Sequence, residues 1–321
     1  MSQMSPTTHA STIKPISTSR DRVGECPVWS VAEQALYWVD IEGCHIHRFD
    51  WATQTQATWN TPERVGCIAL VDEQCNSPYN VVAAMESGVF GVQLLQTPDV
   101  NTVLLTGITH RQANMRFNDG RCDRAGRFWV STLCMDGALA AQVGAIYCVD
   151  ENGLSAAKIE GLITPNGMAF SPDDRTVYLS DSHPTVQRVW AFDFDISAGD
   201  LSSGREFIDM TPLPGRPDGA AVDAQGNYWI CGNDAGQVHC FSPQGALIRS
   251  VNVPVSKPSM CAFGGPQLDV LFVASIQPAS AAGNDKALSG GVFALYVGTT
   301  GLPEPAFSRF PLPISVSIPI H

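Results

Sequence analysis

The residues best suited to chemistry share a register. Five segments can be aligned: Glu25-Cys26-Pro27-Val28-Trp29, Asp119-Gly120-Arg121-Cys122-Asp123, Asn166-Gly167-Met168-Ala169-Phe170, Asp218-Gly219-Ala220-Ala221-Val222 and Ser259-Met260-Cys261-Ala262-Phe263. The first position is oxygen-bearing in all of them, and neither lysine nor arginine takes it. Carboxylate and amide oxygens brought together without a counter-charge repel one another. A hard cation such as Ca²⁺, Mg²⁺ or Mn²⁺ relieves that repulsion, since these ions favour carboxylate, carbonyl and water oxygens. Glu25, Asn166 and Asp218 are the three expected ligands. Asp119 follows Asn118 directly and is expected to cap a turn instead. A single Asp-Gly or Asn-Gly pair is an ordinary turn former; it is the recurrence in separate units that points to a cation.

Other chemistries lack their signatures. The seven histidines show no H-E-x-x-H spacing, and there is no G-x-S-x-G elbow, P-loop or G-x-G-x-x-G. Asp193-Phe194-Asp195-Ile196-Ser197 imitates the start of a calcium loop but lacks the later glycine and bidentate glutamate, so a solvated hairpin is expected. His45 and His47 lie two apart on one strand face and are expected at the surface. His183 is expected to be an exposed loop residue.

Strands must position these groups. ALYWVDI, YNVVAAM, RFWVSTL, GAIYCVD, TVYLSD, RVWAFDF, NYWICG, QVHCFS, DVLFVASI and GVFALYVG are short aromatic and β-branched runs bounded by turn residues. Helical periodicity is nearly absent; the stretch from Ala138 to Val143 suits a single turn. With a looser sixth copy at Gly66-Cys67-Ile68-Ala69-Leu70, the repeats start at 25, 66, 119, 166, 218 and 259, about 47 residues apart. That period suits four-stranded antiparallel blades. The expected fold is all-β, a six-bladed β-propeller, in which equivalent inner-strand positions converge near one axial level. A strand near Thr12–Ser17 and the stretch Ala306–Leu312 are expected to complete the ring, because open blades would leave strand edges unpaired. A two-sheet sandwich is the alternative, and the constant register argues against it.

Composition bounds the rest. The chain has 321 residues, 19 Lys+Arg against 31 Asp+Glu, a net charge of -12 and 44% hydrophobic residues. Without a basic run, nucleic acid is not an expected partner, and the acidic field disfavours anionic membranes. No apolar segment is long enough to span a bilayer. Residues 1–11 lack an apolar core and are read as a mobile leader, with one domain over 12–321. The ten cysteines are scattered without a C-x-x-C pair, so buried free thiols in a cytoplasmic protein are expected. A closed propeller needs no partner to protect its edges; a monomer or weak homo-oligomer is expected.

Gly24-Glu25-Cys26-Pro27-Val28-Trp29, Arg116-Phe117-Asn118-Asp119-Gly120, Thr164-Pro165-Asn166-Gly167-Met168-Ala169-Phe170-Ser171 and Arg216-Pro217-Asp218-Gly219 resemble the regucalcin/gluconolactonase family, over roughly residues 20 to 310. The resemblance implies one divalent metal at the top of the channel (Ca, Mn, Mg, Fe or Zn), held by Glu25, Asn166 and Asp218. It also implies substrate contacts from Arg116 and Asn118. A family glutamate that touches the sugar in some members aligns with Asp136, a shorter acid, which implies a different substrate. The implied activity is hydrolysis of a sugar-acid lactone, a pentono- or hexonolactone, with Asp218 as general base. A metal-dependent esterase or organophosphatase, and a non-catalytic calcium-binding propeller, are the alternatives. Arg116 could instead form a structural ion pair with Asp119 or Asp136. Loops above the blades, 182–187 and 278–291, are expected to set specificity.

Overall fold

The computed structural model describes residues 13–280 and 282–311. The aromatic and β-branched runs form strands that meander antiparallel from the axis outward, building six sheets. Blade 1 comprises Gly24–Ser30, Ala35–Asp40, His45–Asp50 and Gln56–Asn60; blade 2, Val65–Leu70, Val81–Met85, Gly88–Leu94 and Val100–Gly107. Blade 3 comprises Met115–Cys122, Phe128–Cys134 and Gly144–Asp150, its outer edge divided between Gly153–Leu154 and Ile159–Leu162. Blade 4 is Pro165–Phe170, Thr176–Asp181, Arg188–Asp195 and Asp200–Asp209. Blade 5 is Arg216–Val222, Tyr228–Asn233, Gln237–Phe241 and Leu247–Asn252. Blade 6 is Pro258–Gly264, Val270–Ser275 and Phe293–Tyr296, with Ile13–Pro15 as its outer strand.

The propeller expected from the repeat is therefore present, and a strand from the N-terminal side completes its last blade. Thr12 lies outside the described residues, as does the 1–11 stretch. The expectation for Ala306–Leu312 needs correction. With the edge of blade 6 occupied by Ile13–Pro15, this stretch adds no strand to it. Phe307 makes one parallel bridge with Val71, and the Ser308 N–H reaches Gly126 O at 3.0 Å. Pro303, Pro305 and Pro311 remove the donors that a longer ladder would need. Phe307 is fully buried, and Glu304 enters the lower channel to meet Arg121 at 3.1 Å. Leu312 is outside the described residues.

The core lies between blades. Trp29, Trp38, Trp129 and Trp229 are fully buried, as tryptophans in strand runs should be. All ten cysteines are free and eight are buried. A 3-10 turn forms at Gly137–Leu139, and Asn284–Leu288 makes a short helix that sequence periodicity did not reveal. Five residues are too few for an amphipathic pattern to show.

The ring is closed by contacts around its inner strands. Cys26 Sγ meets Ile68 O, Asn118 Nδ2 donates to Pro165 O, Ser180 Oγ to Asp218 O, and Ser259 Oγ to Gly24 O. A Cβ on Gly66 would stand 2.4 Å from Phe117 O, so blades 2 and 3 touch only because this residue is glycine. Every inner strand has a β-bulge at this level: between Glu25 and Val28, Val65 and Cys67, Phe117 and Gly120, Asn166 and Ala169, Pro217 and Ala220, and Pro258 and Cys261. A bulge interrupts strand pairing and re-aims side chains. It also corrects the single register read from sequence. Glu25 and Asn166 are the last paired residues before their bulges, Asn118 and Asp218 are the first bulged residues, and Asp119 is the second. The bulge lets residues one position apart along the chain face the same axial space.

Candidate active site and metal centre

Glu25, Asn118, Asp119 and Asn166 line one small cleft with Cys26, Gly66 and Met260. Asn118 Nδ2 donates to Asn166 Oδ1 at 2.8 Å, linking blade 3 to blade 4. Asn166 Nδ2 donates in turn to Ser182 Oγ at 2.6 Å, which holds the amide with its oxygen toward Asn118. Asp218 Oδ2 accepts from Asn233 Nδ2 at 2.6 Å. Gly167 sits at φ 64° with Tyr228 OH donating to its carbonyl at 2.7 Å; a Cβ there would meet both Ser180 Oγ and Tyr228 OH at 2.6 Å. Only glycine tolerates both the positive φ and that crowding, which explains the Asn-Gly pair.

Electrostatically the cluster is under-compensated. Burial raises the Glu25 pKa well above the usual carboxylate range, and the Asp218 and Asp119 charges raise it further, against Arg116. Burial pushes Asp218 up to about 7, opposed by the Asn233 hydrogen bond. Asp119 is pushed up to about 6 by burial, with the Met168 N–H the first of the groups that counter it. Raised carboxyl pKa values of this kind record charge that the surrounding protein does not neutralise, which a nearby cation would relieve.

The donor set fits a hard divalent ion. Glu25 and Asp218 supply carboxylates, Asn166 an amide oxygen, and buried Asn233 Oδ1 has no protein partner. Among the described residues, no group of three His, Cys, Asp or Glu side chains is disposed to hold a metal. Asp119 is committed elsewhere, as the sequence suggested: Oδ1 accepts the Gly120 N–H and Oδ2 the Met168 N–H at 2.9 Å, bracing blade 3 against blade 4.

Arg116 stands beside this group. Its Nη1 donates to Phe117 O and Asn118 Oδ1, both at 2.8 Å, and its buried Nε is unpartnered. Burial lowers its pKa, with Glu42 the strongest opposing charge. It forms no ion pair with Asp119 or Asp136. Asp136 is exposed, and its Oδ1 accepts the Ala138 N–H at 3.2 Å; the structure does not bring it into the cluster.

Two histidine expectations are overturned. His47 is buried, with Nε2 3.2 Å from Asp21 and its ring against Trp38, because the chain entering blade 1 folds over that strand face. His183 is also buried, its loop drawn in by Asp181. Asp195, by contrast, lies in the expected exposed hairpin, accepting the Ser197 N–H.

Sequence reasoning missed Ser182 and Asn233. Both follow or end apolar strands and read as turn residues. The usable signal was position: Asn233 pairs with Arg216 as Asp40 pairs with Gly24 and Asp181 with Pro165. Asp40 and Asp181 accept backbone N–H groups, whereas Asn233 turns its amide to Asp218.

A sequence model of the SMP-30/Gluconolactonase/LRE-like region matches residues 23–277. The chain is 35% identical over 307 residues to a 6-deoxy-6-sulfogluconolactonase of Pseudomonas putida, covering 92% of this chain and 99% of that one. It is 31% identical over 289 residues to the pentonolactonase XacC of Haloferax volcanii, covering 88% and 94%. Among solved structures it superposes on the calcium-binding protein regucalcin of Agrobacterium tumefaciens with a TM-score of 0.82 at 24% identity, covering 91% and 96%. At that identity the likeness speaks for the fold alone.

Proposed function

The chain belongs to the SMP-30/gluconolactonase/LRE-like family and is a lactonase, and on that premise we propose that it opens the ring ester of an aldonolactone. The pentono- and hexonolactones are the substrate class, and the product is the free sugar acid. We assign Glu25, Asn166 and Asp218 as the ligands of one divalent cation. When bound, that ion supplies a Lewis acid for the lactone carbonyl and acidifies water.

The observation that carries this reading is the meeting of two repelling carboxylates and an amide oxygen beside an arginine–asparagine pair. Asp218 acts as general base, taking the proton of the attacking water; its Asn233 hydrogen bond holds one oxygen in place and leaves the other to act. Arg116 is locked to Asn118 Oδ1, so its remaining guanidinium N–H groups are pre-oriented donors for the sugar. Asn118, whose Nδ2 is engaged by Pro165 O and Asn166 Oδ1, offers the sugar hydroxyls its amide oxygen as acceptor. The ten free cysteines support a reducing compartment, and we assign the protein to the cytoplasm. No helix among the described residues is long and apolar enough to cross a membrane.

The test is acid release from a panel of sugar lactones by protein reconstituted with each divalent metal, with spontaneous ring opening subtracted. Turnover that is lost on chelation and restored by metal is expected. Background rates on every lactone with every metal would overturn the assignment; robust turnover of aryl or phosphate esters alone would replace it with the esterase reading.

A further inference from the structure

The 182–187 loop holds a hydrogen-bond donor that the proposed chemistry does not use. We propose that His183 is a specificity-determining residue, donating from Nε2 to a hydroxyl oxygen of the bound lactone. This rests on the lactonase reading of the adjoining site.

The tautomer follows from its partners. The Thr185 backbone N–H points at His183 Nδ1 at 3.3 Å, and the Thr185 hydroxyl lies 2.8 Å from the same nitrogen. An amide N–H can only donate, so Nδ1 is the acceptor and the neutral ring carries its proton on Nε2. Nε2 has no protein partner. It is not among the buried unpartnered atoms, although the residue as a whole is only 9% exposed. The ring is therefore packed on nearly every side, with its one free donor not wholly enclosed.

The donor is also held still. Asp181 Oδ1 accepts the His183 N–H and the Thr164 N–H, both at 3.0 Å, while Oδ2 accepts the Ile163 N–H at 2.8 Å. The Val186 and Gln187 N–H groups close back on His183 O at 2.8 and 3.2 Å. One residue earlier, Ser182 Oγ accepts from Asn166, so the loop is anchored directly to the proposed metal centre. Arg216, the charged donor on this edge, is already engaged by Asp234 at 2.7 Å and Ser182 O at 3.3 Å. That leaves His183 Nε2–H as an unclaimed, preorganised, uncharged donor, suited to a sugar hydroxyl. A site built around such a donor discriminates against substrates lacking the acceptor.

The experiment compares wild type, His183→Phe and His183→Gln on the best aldonolactone and its monodeoxy counterparts. His183→Phe, which also gives up the Nδ1 acceptor facing Thr185, should lower kcat/KM about tenfold, with the folded far-UV circular dichroism spectrum retained. His183→Gln, whose amide nitrogen reaches a similar point, should recover most of that loss. For one monodeoxy lactone the wild type and His183→Phe should become equal. Wild-type activity of His183→Phe across the panel overturns the proposal, as does the same loss on every deoxy lactone without rescue by glutamine. If wild type turns over no lactone, the functional reading itself fails. The same variants are then compared by calorimetry with a free aldonic acid: weaker binding by His183→Phe supports the donor role, and equal binding overturns it.

Discussion

Two sets of carboxylates drawn in from solvent lie at the bulges and just past the ends of this propeller's inner strands, and they are treated in opposite ways. At the lower corners of blades 3 and 5, Asp123 and Asp223 are completely buried. Asp123 accepts from the Ala125 and Arg127 N–H groups, Arg127 Nε and Trp129 Nε1. Asp223 accepts from the Gln225 and Asn227 N–H groups, Asn227 Nδ2 and Trp229 Nε1. At the bulges, Glu25 and Asp218 have few donors and each other's charge. Carboxylates drawn in from solvent thus serve two purposes: the saturated ones, Asp123 and Asp223, pin turns to blades, and the under-donated ones, partly buried Glu25 and buried Asp218, are left with charge that the protein does not neutralise. An unmet buried charge marks a functional site better than burial or charge alone.

Substitutions should separate the two sets. The largest effect on activity is expected at Asp218→Asn, which should lower kcat/KM on sugar lactones by about 10²–10⁴-fold. The same change should leave the metal-free protein at least as stable, because it removes a repelling buried charge; thermal unfolding in chelator measures this. A clear loss of stability would place Asp218 with the structural set.

The converse substitution is Asp123→Ala. It strands the Arg127 guanidinium and the Trp129 indole N–H, so a loss of about 3–5 kcal/mol in urea unfolding is expected, with activity per folded molecule retained. Asp223→Ala leaves only neutral donors unpaired and should cost about 1–3 kcal/mol.

A third expectation concerns pH. Asp218 titrates near 7 and Asp119 near 6 in the folded chain, both above the ordinary 3.8, and Glu25 is raised as well. The folded state therefore binds more protons than the unfolded state between about pH 4 and 7, and metal-free stability should fall as pH rises through that window. In chelator, the thermal midpoint should be higher at pH 5 than at pH 8; saturating metal should flatten or invert the trend. A midpoint in chelator that rises over this range would show the acids to be already compensated.

The smallest effect is expected at Asp136→Ala. Its carboxylate only caps a short exposed turn, so kcat/KM should change less than about threefold, in keeping with loss of a single surface cap. A large change in KM would move Asp136 into the substrate site.

Much of this was legible in the residues. The spacing of Glu25, Asn166, Asp218 and Ser259 revealed the blades, and the lack of basic residues at that register pointed to a cation. Asn118 and Arg116 came from family resemblance, and the structure shows them bonded to each other. The histidines were misjudged because alternation along a strand says which residues share a face, not what covers it. Asp21 and Asp181, distant or turn-forming in sequence, do the covering. Asn233 and Ser182 were invisible because their importance lies in partners from other strands or blades.

Local pattern alone determined the strands, their number per repeat and the closed ring, since period-2 runs, turn residues and a constant spacing are all encoded within one blade. Only the tertiary structure decided which member of each bulge turns to the axis. A one-residue bulge redirects every side chain beside it, and its effect depends on the glycine-narrowed distance to the next blade, which no single repeat contains.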